Sequence, residues 1–439
     1  MALLVLIFGV LYLKEENIIG RKRIDMNKDM YIENRSIFMN NIENNSMILL
    51  FAGKPCKKTG DELYEFTPNR NFYYLTGIKE EDHIVVLSKV NDIVSEKLFL
   101  KDLDLAREMW NGKTLRDNEG KEISGIEDVL YMKDLNSYIN RLINGSEEIN
   151  LYLDLDREAI DEADSIANIF AKEIKNKYPQ ITTKNISSKI APLRMIKSEQ
   201  EIAEMQKAIE ITISGVQSLM KNVKAGMKEY EIEAYFDFEC KTKGVKDLAF
   251  RTIAAAGKNA TILHYVENNS ELKDGDLILF DLGAQWNLYN ADITRTFPVN
   301  GKFTDRQKKV YEAVLRVNKA VIEKIKPGVN SKELNTWSRN LIAEECITLG
   351  LIEEKEEVSK YYWHSIGHSL GLDTHDLGIQ GREFIFTEGM VFTVEPGIYI
   401  NEESIGIRIE DDILVTKDGC EVLTKNMIKE VNEIEEFMK

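Results

Sequence analysis

An apolar run that closes on a carboxylate limits this chain more than any other feature. Residues 275–296, GDLILFDLGAQWNLYNADITRT, open as Leu277-Ile278-Leu279-Phe280, the pattern of a buried strand, and end that strand on Asp281. Gly283 then lets the chain turn. A second carboxylate, Asp292, follows eleven residues after the first, inside another strand-like run ending Ile293-Thr294-Arg295-Thr296-Phe297. A carboxylate at the end of a buried strand is costly unless it is paired or bound to a cation. Singly, either aspartate reads as an ordinary turn residue. The remainder of the chain decides between the two readings.

A length of 439 residues predicts two domains or more. The net charge of -17 argues against nucleic-acid and anionic-membrane partners, both of which need a basic face. Cys56, Cys240, Cys346 and Cys420 are far apart and form no CxxC pair, which reads as reduced thiols in a cytoplasmic protein. The first thirteen residues, MALLVLIFGVLYL, are apolar but too short to span a bilayer as a helix. No basic residue precedes them and no A-x-A site follows, so a signal peptide is poorly supported. Two readings stay open: a membrane anchor, or an extension upstream of a start at Met26 or Met30. Residues 1–23 hold no candidate ligand and are expected to be dispensable for catalysis.

From 48 to about 184 short strands alternate with helices. Strands are expected at 48–51, 83–87, 98–100 and 150–155, and a helix at 161–177 that stops at Tyr178-Pro179. This is the pattern of an α/β domain without clustered catalytic residue types. Its single histidine, His83, reads as structural or surface. The run FTPNRNFYYLTG at 66–77 reads as a packed aromatic loop.

The connection at 186–197 (ISSKIAPLRMIK) marks the domain boundary. The expected division is an extension at 1–25, an N-terminal α/β domain at 26–190 and a second domain at 191–439. Ser198 with Glu201 forms a capping box and opens a helix to about Val223. A second helix covers 228–242, and strands follow. Then the order repeats: Thr304 with Gln307 opens a helix ending at Pro327-Gly328, Ser331 caps another ending at Gly350, and strands fill the rest before a short helix from Asn426. GDLILFDLGA (275–284) aligns without gaps on GMVFTVEPGI (389–398), placing Asp281 opposite Glu395. Two such halves predict an α+β domain with an internal pseudo-two-fold repeat, each half offering a carboxylate from an equivalent strand.

The second half supplies partners. Three of the five histidines, His364, His368 and His375, lie within twelve positions. His364 and His368 have the i, i+4 spacing of a helical zinc pair, but Gly367 and Gly371 argue against a helix and no Glu follows His364. Glu395 ends an apolar strand at 390–394, and Arg408 and Glu410 share one face of another. Gathered together, Asp281, Asp292, Glu395 and Glu410 cannot coexist bare, because one like-charged pair at ~4 Å costs roughly 4 kcal/mol at an effective dielectric near 20. Two divalent cations would cancel the charge. Oxygen ligands with one imidazole suit manganese, cobalt or iron better than a thiolate-loving metal. Two metals sharing carboxylates can hold a hydroxide as nucleophile at neutral pH, which makes hydrolysis the natural chemistry.

The chain resembles the pita-bread metallopeptidases, of the creatinase/aminopeptidase type, and among them the Xaa-Pro aminopeptidases. The resemblance runs from about Ile32 through FTPNRNFYYLTG, EMWNGKTL, LRMIKSEQEI, LHYVEN, FDLGA, NADITRTFPVNGKFT, HSIGHSLGLDTHDLG, TVEPGIY and GIRIEDD. It implies an aminopeptidase P-type N-terminal domain ahead of a catalytic pita-bread domain. It implies Asp281, Asp292, His368, Glu395 and Glu410 as ligands of two divalent ions, manganese first with cobalt, iron or zinc as alternatives, and Asp292 and Glu410 as bridges. His264 and His375 would bind substrate and stabilise the tetrahedral intermediate, His364 would line the pocket, and Arg408 would steady the ligand network. Glu395 would carry the proton. The substrates would be peptides with proline second. In relatives with an EMWNG-type run the tryptophan reaches the site of a neighbouring subunit, which implies a homo-dimer or tetramer with Trp110 at the substrate. No substrate role is assigned to Arg382, because the segment after His375 is shorter than in some relatives. Prolidase, acting on Xaa-Pro dipeptides with the same ligands, is the near alternative. A methionine aminopeptidase is disfavoured by the large N-terminal domain, and a non-catalytic binding protein by the intact ligand set.

Overall fold

The computed structural model describes residues 28–146, 148–377 and 383–439. The apolar run at 1–13 and Arg382 lie outside the described residues. The chain divides into two compact units between Ile186 and Ser187. Among the described residues no helix is long and apolar enough to cross a membrane.

The N-terminal unit is built on a six-stranded mixed sheet. Its central strand, Ser46–Phe51, runs antiparallel to Ile84–Val90 on one side and parallel to Ile149–Leu153 on the other. Ile93–Leu100 and Val129–Tyr131 extend one edge, and Ile181–Asn185 the other. Met47, Leu49, Val86, Phe99, Leu151 and Leu153 form an apolar face covered by helices Leu135–Asn144 and Ile166–Lys177. The expected helix at 161–177 starts later. Arg157 donates to the Glu162 carbonyl (2.6 Å) and Glu158 N–H to Glu162 Oε2 (2.9 Å), so 157–164 closes a turn of its own before Ser165 caps the helix.

The aromatic run at 66–77 is not a loop. Asn69 caps a helix, Arg70–Thr76, and Gly77 ends it in the left-handed region at φ 72°. A Cβ on Gly77 would lie 2.3 Å from the Tyr31 ring, so only glycine fits there. Phe72, Tyr73 and Leu75 are buried, and packing rather than propensity makes these residues helical. His83 is buried and accepts from the Lys101 N–H (3.0 Å), a structural role. Trp110 lies on the short helix Leu105–Asn111, none of whose residues is buried.

The second unit shows the order helix, helix, antiparallel strands twice, with the third strand of each sheet added on a different side. Helices Glu199–Asn222 and Glu229–Thr242 precede a sheet of three antiparallel strands ordered Ile293–Pro298, Leu277–Leu282, Ile253–Ala256. Helices Asp305–Lys324 and Ser331–Thr348 precede a second, ordered Val391–Val394, Asp411–Val415, Cys420–Val422. The capping boxes at Ser198 and Thr304 form as expected. At the fourth helix the cap is Asn330, not Ser331: the Asn330 side chain accepts from the N–H groups of Lys332 and Glu333. The last helix is Val431–Phe437, five residues later than expected. Arg295 takes the carbonyls of Met427 (3.2 Å) and Ile428 (3.1 Å), which keeps that stretch from winding into a helix.

Candidate metal centre and active site

Each half of the second unit delivers two carboxylates from one pair of antiparallel strands. In the first, Leu277–Leu282 pairs with Ile293–Pro298, setting Asp281 opposite Thr294, and Asp292 stands directly before the second strand. Asp281 does not end its strand: it is paired on both sides, to Thr294 and to Ile253. In the second half Glu395 directly follows Val391–Val394, and Glu410 directly precedes Asp411–Val415, with Val394 opposite Asp411. Two close approaches make this possible. A Cβ on Gly283 would lie 1.8 Å from the Ala291 carbonyl oxygen, and one on Gly367 1.9 Å from that of Thr393.

The stretch carrying His364 and His368 has no helix, as the glycines predicted. It lies along Val391–Val394 instead. Thr393 N–H donates to the His368 carbonyl (2.8 Å), Glu395 N–H to that of Ile366 (2.9 Å), and His368 N–H to Thr393 Oγ1 (3.0 Å). His368 Nδ1 donates to the Ser369 carbonyl (3.1 Å), which turns the Nε2 lone pair toward the carboxylates. Nε2 is 3.5 Å from Asp292 Oδ2 and 3.7 Å from Glu395 Oε1. Asp292, His368 and Glu410 each offer a ligand atom, all within 4.8 Å of one another.

Arg408, at the end of Ile405–Arg408, is buried and reaches three groups. It donates to Asp281 Oδ2, to Thr294 Oγ1 (3.0 Å) and to the Tyr399 hydroxyl (3.0 Å). Thr294 Oγ1 donates in turn to Glu410 Oε2 (2.6 Å). His364 Nε2 contacts the Tyr399 hydroxyl (2.8 Å), and its Nδ1 lies 3.6 Å from Glu395 Oε2. The His375 ring sits edge-on to that of His368, centroids 4.2 Å apart. His264 is exposed. The N-terminal unit carries Trp110 on its surface, 89% exposed.

Burial, then repulsion from Glu410 and Asp281, drives Asp292 well above the carboxylate range. Glu395 is pushed the same way by burial and Glu410. Burial and Asp281 raise Glu410 to about 8. Burial lowers His364 to about 3 and His368 to about 4, so both imidazoles are neutral at pH 7. Asp281 Oδ1 and Asp292 Oδ1 are buried without a hydrogen-bond partner. Native proteins rarely leave such oxygens unpaired. A crowd of carboxylates against one guanidinium, with two orphaned oxygens and a neutral imidazole, is a donor set that fits hard divalent cations.

A pH dependence follows. The raised carboxylates hold protons in the fold that they release in the unfolded chain above pH ~4.5. They stabilise the metal-free fold at low pH, and the share of Glu410 is lost as pH rises through about 8, at ~1.4 kcal/mol per pH unit per proton. With the metal stripped by chelator, the midpoint of thermal unfolding should therefore fall between about pH 6 and 8.5. The metal-loaded protein should not show this fall, since cations replace the protons. A chelated protein whose Tm holds steady over that window contradicts the charge account.

Three supporting residues escaped the sequence reading. Tyr399 joins His364 to Arg408, and Thr294 joins Arg408 to Glu410. Glu229, fully buried, accepts from Ala256 N–H, the Asn259 amide, the Tyr265 hydroxyl and Ser270 N–H, all at 2.8–2.9 Å. It thereby ties down the loop that carries His264. Tyr399 and Thr294 lie within five residues of a ligand candidate, a usable signal. Glu229 had none, because a Glu in the first turn of a helix is commonplace.

Comparison with known proteins agrees with this geometry. The metallopeptidase family M24 profile matches residues 203–417, and the aminopeptidase P N-terminal domain profile matches 31–152. The Xaa-Pro aminopeptidase of Escherichia coli is 32% identical over 440 residues, covering 94% of this chain and 98% of that one. A solved structure described as a putative aminopeptidase P from Bacillus anthracis is 46% identical with a TM-score of 0.92, again over 94% and 98% of the two chains. Aminopeptidase P from E. coli with the inhibitor Pro-Leu superposes at a TM-score of 0.86 with 31% identity over the same shares. The second unit is thus the pita-bread fold that the resemblance implied. With its buried carboxylate cluster and both profiles in order, the chain belongs to metallopeptidase family M24, with an aminopeptidase P N-terminal domain ahead of the catalytic one.

Proposed function

We propose that this protein hydrolyses the bond between an N-terminal residue and a following proline. The observation that carries the reading is the cluster of Asp281, Asp292, Glu395 and Glu410 around neutral His368, with two buried oxygens left unpaired. Two divalent ions would be held by these five residues, with Asp292 and Glu410 as the proposed shared ligands, and would balance the charge; the oxygen-rich set favours manganese. When bound, the metals supply Lewis acidity and a nucleophilic oxygen at neutral pH.

The chain's own groups do the rest. Arg408 fixes Asp281 and, through Thr294, Glu410. Glu395, whose proton affinity is raised, carries the proton from nucleophile to leaving amine. His375, whose proton affinity is lowered by partial desolvation, donates an N–H to the carbonyl oxygen as negative charge develops, and His264 flanks it. His364, against Tyr399 and Glu395, lines the pocket for the N-terminal residue.

The aminopeptidase P N-terminal domain favours this activity over prolidase. Offered Ala-Pro-Ala beside Ala-Pro with manganese, the protein should cleave the tripeptide at least about tenfold faster. Cleavage of the dipeptide alone would replace the reading with prolidase.

Self-association is part of the same proposal. Leu105, Met109 and Trp110 are 71, 83 and 89% exposed on one short helix, apolar surface that no other described residue covers. We assign that face to a second copy of the chain, in a dimer or tetramer where Trp110 walls the neighbour's proline site. An indole wall contributes binding rather than chemistry. Trp110→Ala should therefore raise KM for Xaa-Pro peptides about tenfold with metal content unchanged. A fully active monomer by sedimentation, or an unmoved KM, removes the idea. All four cysteines are free thiols, which supports a cytoplasmic location, testable by fractionation.

A further inference from the structure

The turn that carries His375 has no regular structure to hold it. Residues 371–375 are bends, with Gly371 N–H donating to the Asp373 carbonyl (3.1 Å) and Asp376 N–H to that of Ser369 (3.0 Å). What anchors this turn is a buried ionic cluster contributed by the LRMIK run of the domain junction. Arg194 donates to Asp376 Oδ1 (2.6 Å) and to Asp373 Oδ2 (2.7 Å), and Lys197 Nζ to Asp376 Oδ2 (3.0 Å). Arg194, Lys197 and Asp376 all have side chains no more than 2% exposed. The cluster thus grips the turn at Asp373 and Asp376, on both sides of Thr374 and His375. Other bonds close around it: Asn290 N–H reaches the Gly371 carbonyl (2.9 Å), the Asn290 amide that of Leu372 (3.1 Å), and Thr374 Oγ1 that of Ala249 (3.2 Å). Gly371 is packed so tightly that a Cβ there would lie 2.2 Å from Asp376 Oδ2.

A buried ion pair is a poor source of net stability, because desolvation offsets the attraction and an apolar replacement often serves as well. What it offers is direction: Arg194 Nη2 spans two carboxylates, which apolar packing cannot specify. His375 needs that direction, since an oxyanion donor misplaced by about 1 Å loses most of its value.

We propose that Asp376, clamped by Arg194 and Lys197, is a positioning residue that fixes His375 for its contact with the reacting carbonyl. This rests on the reading of His375 as a substrate-facing donor. The test is a double-mutant cycle on the full-length, metal-loaded protein with Ala-Pro-Ala as substrate. Asp376→Asn should lower kcat at least about tenfold, with KM and metal content changed by less than about threefold. In a His375→Ala background the same substitution should cost less than about threefold more, because the residue it positions is gone. An equal loss in both backgrounds, or an unchanged kcat in the single variant, overturns the proposal. Should Asp376→Asn fail to fold, Lys197→Met leaves Arg194 on Asp376 and is read by the same cycle. If the wild-type protein cleaves no Xaa-Pro peptide, the proposed function has failed. The positioning claim is then read by histidine NMR on zinc-loaded protein. Asp376→Asn should split or broaden the His375 ring signal and leave that of His264 unchanged; an unaltered His375 signal overturns it.

Discussion

Glu410→Ala is expected to strip the protein of most of its metal and to lower kcat/KM for an Xaa-Pro peptide by at least a hundredfold. Losing even a residue that supports a metal ligand costs about 10–100-fold, and Glu410 is proposed as a bridge between two ions. It is 1% exposed, and its carboxylate accepts from Thr294 beside Asp281, Asp292 and Glu395. The scaffold survives the change, because Arg295 still grips the backbone carbonyl at 410 (2.5 Å) and Asp411 (2.8 Å). Stability separates this account from simple misfolding. Glu410→Gln removes one anion from a repulsive cluster while keeping its shape. In chelator above about pH 8, the Gln variant should melt higher than wild type, and with metal it should melt lower. Elemental analysis and paired thermal scans read both effects. Full metal content and full activity in Glu410→Ala would show that the bridge is misassigned.

His375→Ala is expected to lower kcat by a hundredfold or more while both metals stay bound. The loss of one oxyanion donor is typically worth about 2.7–4 kcal/mol. The His375 ring stands at the edge of His368, whose Nε2 faces Asp292 and Glu395, so removing it leaves the proposed ligand set untouched. His375 is solvent-exposed, and its partial desolvation lowers its proton affinity, so the imidazole offers an N–H donor at neutral pH without a charge to discharge. The effect should fall on kcat rather than KM, because the donor is used most as charge builds on the carbonyl oxygen. A kcat within twofold of wild type, with metal content intact, would remove His375 from the chemistry.

Much of the site was legible in the sequence because its carboxylates stand within or directly beside apolar strands: Asp281 inside Leu277–Leu282, and Asp292, Glu395 and Glu410 next to a strand end. Asp281 and Glu395 betrayed themselves as charges closing apolar runs, and the alignment of those runs revealed the duplication. Glycine spacing correctly refused a helix at 364–371, and the structure lays that stretch along Val391–Val394. What stayed hidden depends on contacts distant in sequence. The helix Arg70–Thr76 forms because its aromatic face is buried, and Asn69, its cap, is held by Asp154 (2.7 Å). The late start of the last helix depends on Arg295, more than 130 positions away. Glu229 and Asp376 act through loops that no local pattern announces. At the fourth helix the end was displaced because the side chain one position earlier, Asn330, takes the capping bonds.

Titrating chelator-stripped protein with manganese while following Ala-Pro-Ala cleavage tests the central claim most directly. The account predicts negligible turnover in chelator, activity that rises with added metal, and a plateau at two ions per chain. Full turnover in chelator, or a plateau reached with no metal bound, would contradict it.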